Sequence, residues 1–467
     1  MATLQFIGAA RQVTGSCHLV KTQSSTILLD CGMIQGSSKA EELNAKPFAF
    51  NPADIDAVVL SHAHIDHSGL LPKLVKDGFS GPVYSTPATH DLIDLMLKDS
   101  AKLAEKDVEW ENKRRRRAGK DLIEPLYGID DVETLLSQRQ ALAYGVEHAI
   151  TTDINICFRE AGHILGSAVV EIFIDEQGQK KKLVFSGDLG NDNQALLRDP
   201  EIVEHADVLL LESTYGDRLH RSLPDTLNEL NQALDEAADD GGNVLIPAFS
   251  VGRTQELLFY LGKLHRAGKL KQKQVFLDSP MAISASDIYR DHIHLFNIED
   301  SVDFAAAIKQ DWQQWLPILN CTRSTEESMA INRIHSGAII IAGNGMCTGG
   351  RIVHHFKNQL WRSNTHIIIV GFQANGSTGR ALVDGAKHVK VLGNDIIVKA
   401  KIHTLGGLSA HADQNQLLEW AGKFIEPKPE LYLVHGELDK MLALQKCFHE
   451  KLSWYANIPT AGDQVTL

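Results

Sequence analysis

The sequence lacks any cysteine pattern that would staple the chain or clasp a metal. Its six cysteines, at 17, 31, 157, 321, 347 and 447, include no C-x-x-C pair and no short regular spacing. Neither a disulfide frame nor a cysteine zinc site is therefore encoded. Long apolar runs are also missing: no window holds 18 uninterrupted apolar residues, and the opening MATLQFIGAARQVTGSCHLV has no charged start followed by an apolar stretch and a cleavage site. The expectation is a cytoplasmic protein with no membrane partner. Positive charge is scarce, with a net charge of −13, which weighs against coating nucleic acid through a broad basic face. A local phosphodiester site stays compatible with that balance, because metal ions and a few arginines can supply the positive field. Low-complexity stretches are absent too, and with 43% hydrophobic and 22% charged residues nearly all of the chain should fold. At 467 residues it exceeds one ordinary core, so two compact units are expected.

What the chain does have is a repeated apolar, β-branched run that ends in small or polar residues. AVVLSHAH, LVFSGDLG, VLLLESTYGD, VLIPAFSVG, VFLDSPMA, IIIAGNGM, IIIVGFQANG and LYLVHGE all follow this form. Such runs read as buried strands whose carboxyl ends carry chemistry. Amphipathic stretches lie between several of them, and Asn243 to Pro280 reads as a βαβ-like unit. The first 50 residues and the span 150 to 190 instead read as antiparallel hairpins, with a turn at Glu176 to Gln179. Residues 89 to 145 read as mostly helical, and KRRRR at 113 to 117 as a solvated helix face in preference to an RNA contact.

The densest chemistry is VVLSHAHIDHSGLLPKL, residues 58 to 74, which places His62, His64, Asp66 and His67 within six positions. In extended backbone His62 and His64 project to one side, and a turn into a helix near Ser68 folds Asp66 and His67 back beside them. Imidazoles and a carboxylate at that density suit zinc, and packing alone gives little reason for them. Four ligands cannot close two tetrahedral shells, so others must come from distant strand ends. EAGHILGS offers His163, FSGDLG offers Asp188 and LYLVHGE offers His435. Taken singly, each of these three is as readily structural as ligating.

Together these residues resemble the metallo-β-lactamase fold, and further motifs resemble its nucleic-acid-processing β-CASP branch, which includes the cleavage and polyadenylation endonuclease and bacterial homologues. LLDCG with Asp30, SHAHIDH, AGHILGS and SGDLG look like the four motifs of the fold. LLLESTYGDR with Glu212, GGLSAHAD with His411 and LVHGE with His435 resemble motifs A, B and C of the branch. The resemblance spans essentially the whole chain and implies an α/β protein: a metallo-β-lactamase αββα sandwich interrupted by a β-CASP α/β domain. The expected boundaries are 1–212 and 396–467 for the sandwich and 213–395 for the insertion, with the active site in the cleft between them.

The same resemblance assigns His62, His64 and His163 to one zinc and Asp66, His67 and His435 to a second, with Asp188 bridging. Asp30 would orient ligands without touching metal. Two zinc ions would activate a shared water and clamp a phosphate oxygen, and His411, oriented by Glu212, would protonate the leaving 3′-oxygen. A histidine at motif C implies RNA as substrate, and internal cutting is expected over 5′-to-3′ trimming. Arg253, Arg351 and Arg380 are candidates for flanking phosphates, against the alternative of glycine turns with ion pairs. His403, His18, His90, His354, His355 and His366 are left as structural or surface residues, and Cys347 as a small loop residue. A small-molecule ester or thioester hydrolase shares the histidine cluster but leaves the insertion and His411 unexplained, and a non-catalytic RNA-binding subunit would not need every ligand position filled. A homodimer is compatible with the sequence.

Overall fold

Alternation of apolar residues along short strands builds two seven-stranded sheets. The computed structural model describes residues 1–36, 39–192, 194–297, 302–371, 373–374 and 376–467. Phe372 and Asn375 of the GFQANG segment lie outside the described residues. Contact clustering divides the chain into a first unit of 1–194, 198–219 and 411–467 and a second of 195–197 and 220–410.

In the first unit one sheet runs in the order Gln464–Thr466, Thr3–Phe6, His18–Lys21, Thr26–Leu29, Ala57–Val59, Val83–Ser85 and Arg139–Ala141. Its early strands pair antiparallel, as hairpins, and the sheet turns parallel from Thr26–Leu29 onward. The other sheet runs Ala456–Asn457, Glu430–Val434, Val208–Glu212, Gln179–Phe185, Ala168–Glu176, Ile154–Glu160 and His148–Ala149. The hairpin turn falls where the sequence reading puts it, with Gln179 opposite Glu176.

Period-two burial fixes which layer each side chain joins. Leu210, Tyr432 and Val434 face a shared core with Leu4, Phe6, Ile27 and Val59 of the opposite sheet. Their neighbours Leu209, Leu211, Leu431 and Leu433 face the other way, onto Leu417, Trp420, Met441, Leu444 and Phe448. Those partners lie on the helices Gln414–Gly422 and Leu438–Leu452. Sheet on sheet with helices outside is the αββα layering.

The helix Pro87–Arg117 starts at Thr86, whose hydroxyl accepts from Thr89 N and donates to the Gly166 carbonyl at 2.7 Å. KRRRR closes the helix, exposed except for the half-buried Arg115, with Lys113 paired to Glu109 and Arg114 to Glu111.

The second unit carries an all-parallel sheet in the order Leu319–Cys321, Gln274–Asp278, Ala338–Ala342, Val244–Pro247, His366–Ile369 and Lys401–Thr404. Val244–Pro247, the helix Arg253–Arg266 and Gln274–Asp278 form the expected βαβ-like unit, but Ala338–Ala342 inserts between its two strands. Among the described residues no helix is long and apolar enough to cross a membrane.

Candidate metal centre

Strand ends of the first unit converge on one cluster. Beyond Ala57–Val59 the backbone extends through His62 and His64, then tightens into the short helix Ile65–Ser68, which carries Asp66 and His67. Three main-chain bonds hold this turn: Ser16 N to Asp66 O at 2.8 Å, Cys31 N to His67 O at 2.8 Å and Met33 N to Ile65 O at 2.9 Å. Gly32 is required in this contact, since a Cβ there would lie 1.6 Å from the Asp66 carbonyl oxygen. His163 sits in the turn between two strands, its amide donating to Ser167 Oγ at 3.0 Å. Asp188 follows the strand Gln179–Phe185, and Glu212 ends Val208–Glu212. That strand pairs in parallel with Glu430–Val434, so Glu212 stands opposite Val434 and His435 comes next. Asp30 and His435 both hold left-handed backbone, with φ of 57° and 51°. Aspartate and histidine tolerate that region better than most side chains, and such strain gathers at functional sites.

The geometry sorts the donors into two overlapping groups. His64 Nδ1 lies 3.2 Å from His62 Nε2 and 3.1 Å from His163 Nε2. The three rings meet pairwise at 5.0 Å and 79°, so their lone pairs point at a common centre. Asp188 Oδ2 lies 3.5 Å from His62 Nε2 and 3.6 Å from His163 Nε2. On the other side His67 Nε2 approaches His435 Nε2 at 3.1 Å, and Asp66 Oδ2 is 3.6 Å from the latter. Asp188 Oδ1 lies 3.3 Å from His67 Nε2 and 3.5 Å from His435 Nδ1. This carboxylate oxygen is buried without a hydrogen bond, an expensive condition for a protein with nothing to place there. His62, His64, His163 and Asp188 form one set able to hold a cation, and Asp66, His67 and His435 another. Imidazole and carboxylate donors in these numbers fit zinc.

Protonation fits as well, since ligands must offer lone pairs. Burial, with neighbouring His67, drives His62 well below its ordinary pKa, and burial takes His64 down to about 4. Burial opposes ionisation of Asp66, yet a hydrogen bond from His435 and the nearby histidines outweigh it and hold the carboxyl at about 2. His67 is the exception. Burial lowers it, but Asp188 and Asp30 prevail and raise it well above its ordinary value. Those two carboxylates favour the charged form of that imidazole.

Outer contacts choose the tautomers. Asp30, fully buried, accepts from His67 Nδ1 at 2.7 Å, Ser61 N at 2.8 Å, and the Ser16 and Ser61 hydroxyls at 3.0 Å. Ser61 Oγ meets His62 Nδ1 at 3.1 Å, and Thr214 Oγ1 meets His435 Nδ1 at 3.1 Å. The first two rings thereby turn Nε2 inward. Ser16, Ser61 and Thr214 are contributors that the sequence reading does not name. Ser61 and Thr214 sit within LSHAH and ESTYGD, so adjacency to a ligand or motif residue was the available signal.

His411 Nδ1 lies 3.1 Å from Glu212 Oε1 and 3.9 Å from Asp188 Oδ2. Glu212 is fully buried and also accepts from Leu189 N at 2.7 Å. Burial lowers the His411 pKa, but Glu212 and then Asp188 outweigh it and hold the ring at about 9. The Tyr215 ring is set edge-on to it, with ring centroids 6.0 Å apart.

The remaining candidates lie in the second unit. Arg253 pairs with Glu256. Arg351 bonds Asp278 Oδ1 at 2.7 Å, the Thr322 carbonyl at 3.0 Å and the Arg323 carbonyl at 2.7 Å. Arg380 pairs with Asp384, Nε to Oδ2 at 3.0 Å. Cys347 is buried, and its thiol is pushed up to about 12 by that burial, so it is an inert loop residue.

Three family profiles match in chain order: the metallo-beta-lactamase superfamily over residues 10–151, the Beta-Casp domain over 254–382, and a Zn-dependent metallo-hydrolase RNA specificity domain over 395–459. The last span contains His411 and His435. A ribonuclease of Thermus thermophilus is 40% identical over 94% of this chain and 94% of its own length. An RNase J-like protein of Methanocaldococcus jannaschii is 30% identical over 99% of both chains. The transcription termination factor FttA of that organism is 31% identical over 94% of this chain and 67% of its own. In fold, a protein of unknown function from Enterococcus faecalis aligns with a TM-score of 0.57 at 13% identity, covering 100% of both chains.

Proposed function

Because the chain belongs to the β-CASP family of the metallo-β-lactamase superfamily, we propose that it is a zinc-dependent ribonuclease that cuts RNA at internal phosphodiester bonds. The observation that carries this reading is the convergence on Asp188 of two side-chain groups able to hold cations, with His411 fastened beside it by Glu212. The ribonuclease and RNase J-like names of full-length relatives support RNA as the substrate.

His62, His64, His163 and Asp188 would hold one ion, and Asp66, His67 and His435, with Asp188 shared, a second. Ions bound there would supply Lewis acidity toward a phosphate oxygen and a water of lowered pKa. The residues of the chain do the rest. Asp30, Ser61 and Thr214 fix ring tautomers. A departing RNA 3′-oxygen needs a proton, and Glu212 beside His411 favours the charged form of the imidazole that would supply it. Glu212 commits Nδ1 at 3.1 Å, so the proton delivered is the one on Nε2. Of the three arginines, Arg380 is the most exposed, at 43%, against 21% for Arg351 and 9% for Arg253. It is the one best suited to exchange its carboxylate partner for a phosphate.

Circular RNA, which has no end to trim, tests the reading. Purified protein should cut it, chelator should abolish the cutting, and His411→Ala should slow it by about 10²- to 10⁴-fold with metal content unchanged. Intact circular RNA beside trimmed linear RNA would replace internal cutting with exonucleolytic action. Intact RNA of both forms beside thioester turnover would overturn the ribonuclease reading.

A further inference from the structure

A second cluster of metal-binding side chains lies wholly within the second unit. We propose that Glu236, His366 and His403 form a further transition-metal site, separate from the centre described above, that takes a zinc-like divalent cation and fastens the last strand of the parallel sheet.

The three donors come from three elements. Glu236 lies in the last turn of the helix Leu223–Asp239, His366 opens the strand His366–Ile369, and His403 sits on its neighbour Lys401–Thr404. One ligand atom from each falls within 4.8 Å of the others. His366 Nδ1 and His403 Nε2 face each other at 2.9 Å, a little closer than the 3.1 and 3.2 Å between imidazole nitrogens of the main centre. Two nitrogens on one tetrahedral zinc, each about 2.0–2.1 Å from it, stand roughly 3.3 Å apart. Seating an ion therefore needs an opening of only about 0.4 Å.

The surroundings are arranged as around a metal-binding histidine. Asp240 Oδ2 takes His366 Nε2 at 2.9 Å and is itself held by Lys401 Nζ at 2.6 Å. A carboxylate on the outer nitrogen fixes the tautomer and leaves Nδ1 as a lone pair directed at His403. His366 is fully buried. Burial, with His366 beside it, keeps His403 below its ordinary pKa and so favours the neutral form of that ring, the one able to bind. The helix adds an independent reason. Its last turn contains Glu236 and Asp239, Asp240 follows as its cap, and it has no basic residue there. Carboxylates at a helix C-terminus meet the negative end of its dipole and gain from a cation placed against them; Lys271 and Lys401 do this for Asp239 and Asp240, and an ion would do it for Glu236. Two imidazoles and a carboxylate select a zinc-like ion over magnesium or calcium and leave a fourth position for water.

The edge strand Lys401–Thr404 pairs with His366–Ile369 alone among the described strands. An ion here adds a cross-link from that strand to the helix, just before the chain runs on to His411.

The rival occupant of the 2.9 Å gap is a shared proton. The ring planes are nearly parallel, at 8°, which a hydrogen-bonded imidazole pair would allow, and metal content separates the two. The full-length protein, stripped by chelator and dialysed against zinc, is analysed by mass spectrometry beside His403→Ala and Glu236→Gln, with circular dichroism confirming that each is folded. Wild type should hold one more zinc per chain than His403→Ala, and Glu236→Gln should bind the additional ion more weakly by tenfold or more. Anomalous scattering at the zinc edge should place a peak between His366 and His403. Equal zinc in wild type and His403→Ala, or no peak there at saturating zinc, overturns the proposal. The comparison reads a difference of one ion, so it stands whatever the main centre holds.

Discussion

Replacing Asp30 by asparagine removes one charge and keeps the shape. Asparagine also tolerates the left-handed backbone at φ 57°, so the fold should survive. The native carboxylate accepts four hydrogen bonds, from Ser61 N, the Ser16 and Ser61 hydroxyls and His67 Nδ1. In the variant the amide oxygen can keep Ser61 N, and the two hydroxyls can rotate to accept. His67 cannot adapt without loss. If Nδ1 keeps its proton, it faces an amide N–H, and a buried unsatisfied donor costs about 1–3 kcal/mol. If the proton moves to Nε2, the nitrogen facing His435 no longer offers a lone pair. Either route should weaken metal binding by about 10- to 100-fold, the usual scale for outer-sphere partners of metal-binding histidines. Zinc affinity is measured by competition with a chromophoric chelator, and RNA cleavage is followed against free zinc. Activity should return at high zinc with near-native kcat. Unchanged zinc affinity in a folded Asp30→Asn protein would refute the argument that Asp30 acts by orienting His67.

Asp278→Ala should destabilise the protein by about 3–5 kcal/mol in urea, because it strands Arg351 and His355, which bond the buried carboxylate at 2.7 Å each. A loss under 1 kcal/mol would show that these groups find other partners. Glu160 predicts a pH effect. Burial and then Glu201 outweigh the backbone donors and raise its carboxyl from 4.5 to about 8. Between those values the folded state binds the extra proton, so its stabilising share is whole below about 4.5 and drains away as pH climbs through about 8. The advantage of Glu160→Gln over wild type should grow across that window to at most about 5 kcal/mol and then level off. Parallel stability profiles for the two proteins would disprove the assignment.

The candidate ligands were legible in proportion to how locally they are encoded. His62, His64, Asp66 and His67 share one turn, and apolar runs announced the strand ends bearing Asp188, Glu212 and His435. Hairpins were legible for the same reason, since antiparallel neighbours are close in sequence. Parallel neighbours are not, and nothing in Asn243 to Pro280 indicates that Ala338–Ala342 will lie between its strands. Arg351 sits in a glycine-rich loop that suits phosphate binding, yet its partners Asp278, Thr322 and Arg323 come from other segments. The sequence reading leaves His366 and His403 as structural or surface residues and does not name Glu236, because the helix and strands that gather the three are distant in sequence.

The parallel pairing of Val208–Glu212 with Glu430–Val434 turns everything between them into a single crossover. Joining two strands through about 200 unstructured residues costs roughly 5 kcal/mol of chain entropy. The second unit removes most of that cost once folded. A Cβ on Gly407 would lie 2.1 Å from Thr226 Oγ1, and one on Gly406 would lie 3.5 Å from the Arg221 side chain, so the polypeptide enters and leaves this unit at one spot. Folding should therefore run from the inside of the sequence outward, with amides of 244–247 and 338–342 protected from exchange before those of 208–212 and 430–434. The reverse order in pulse labelling would contradict this, and on a growing chain His435 can join the histidines at 62 to 67 only after the whole of the second unit has been made.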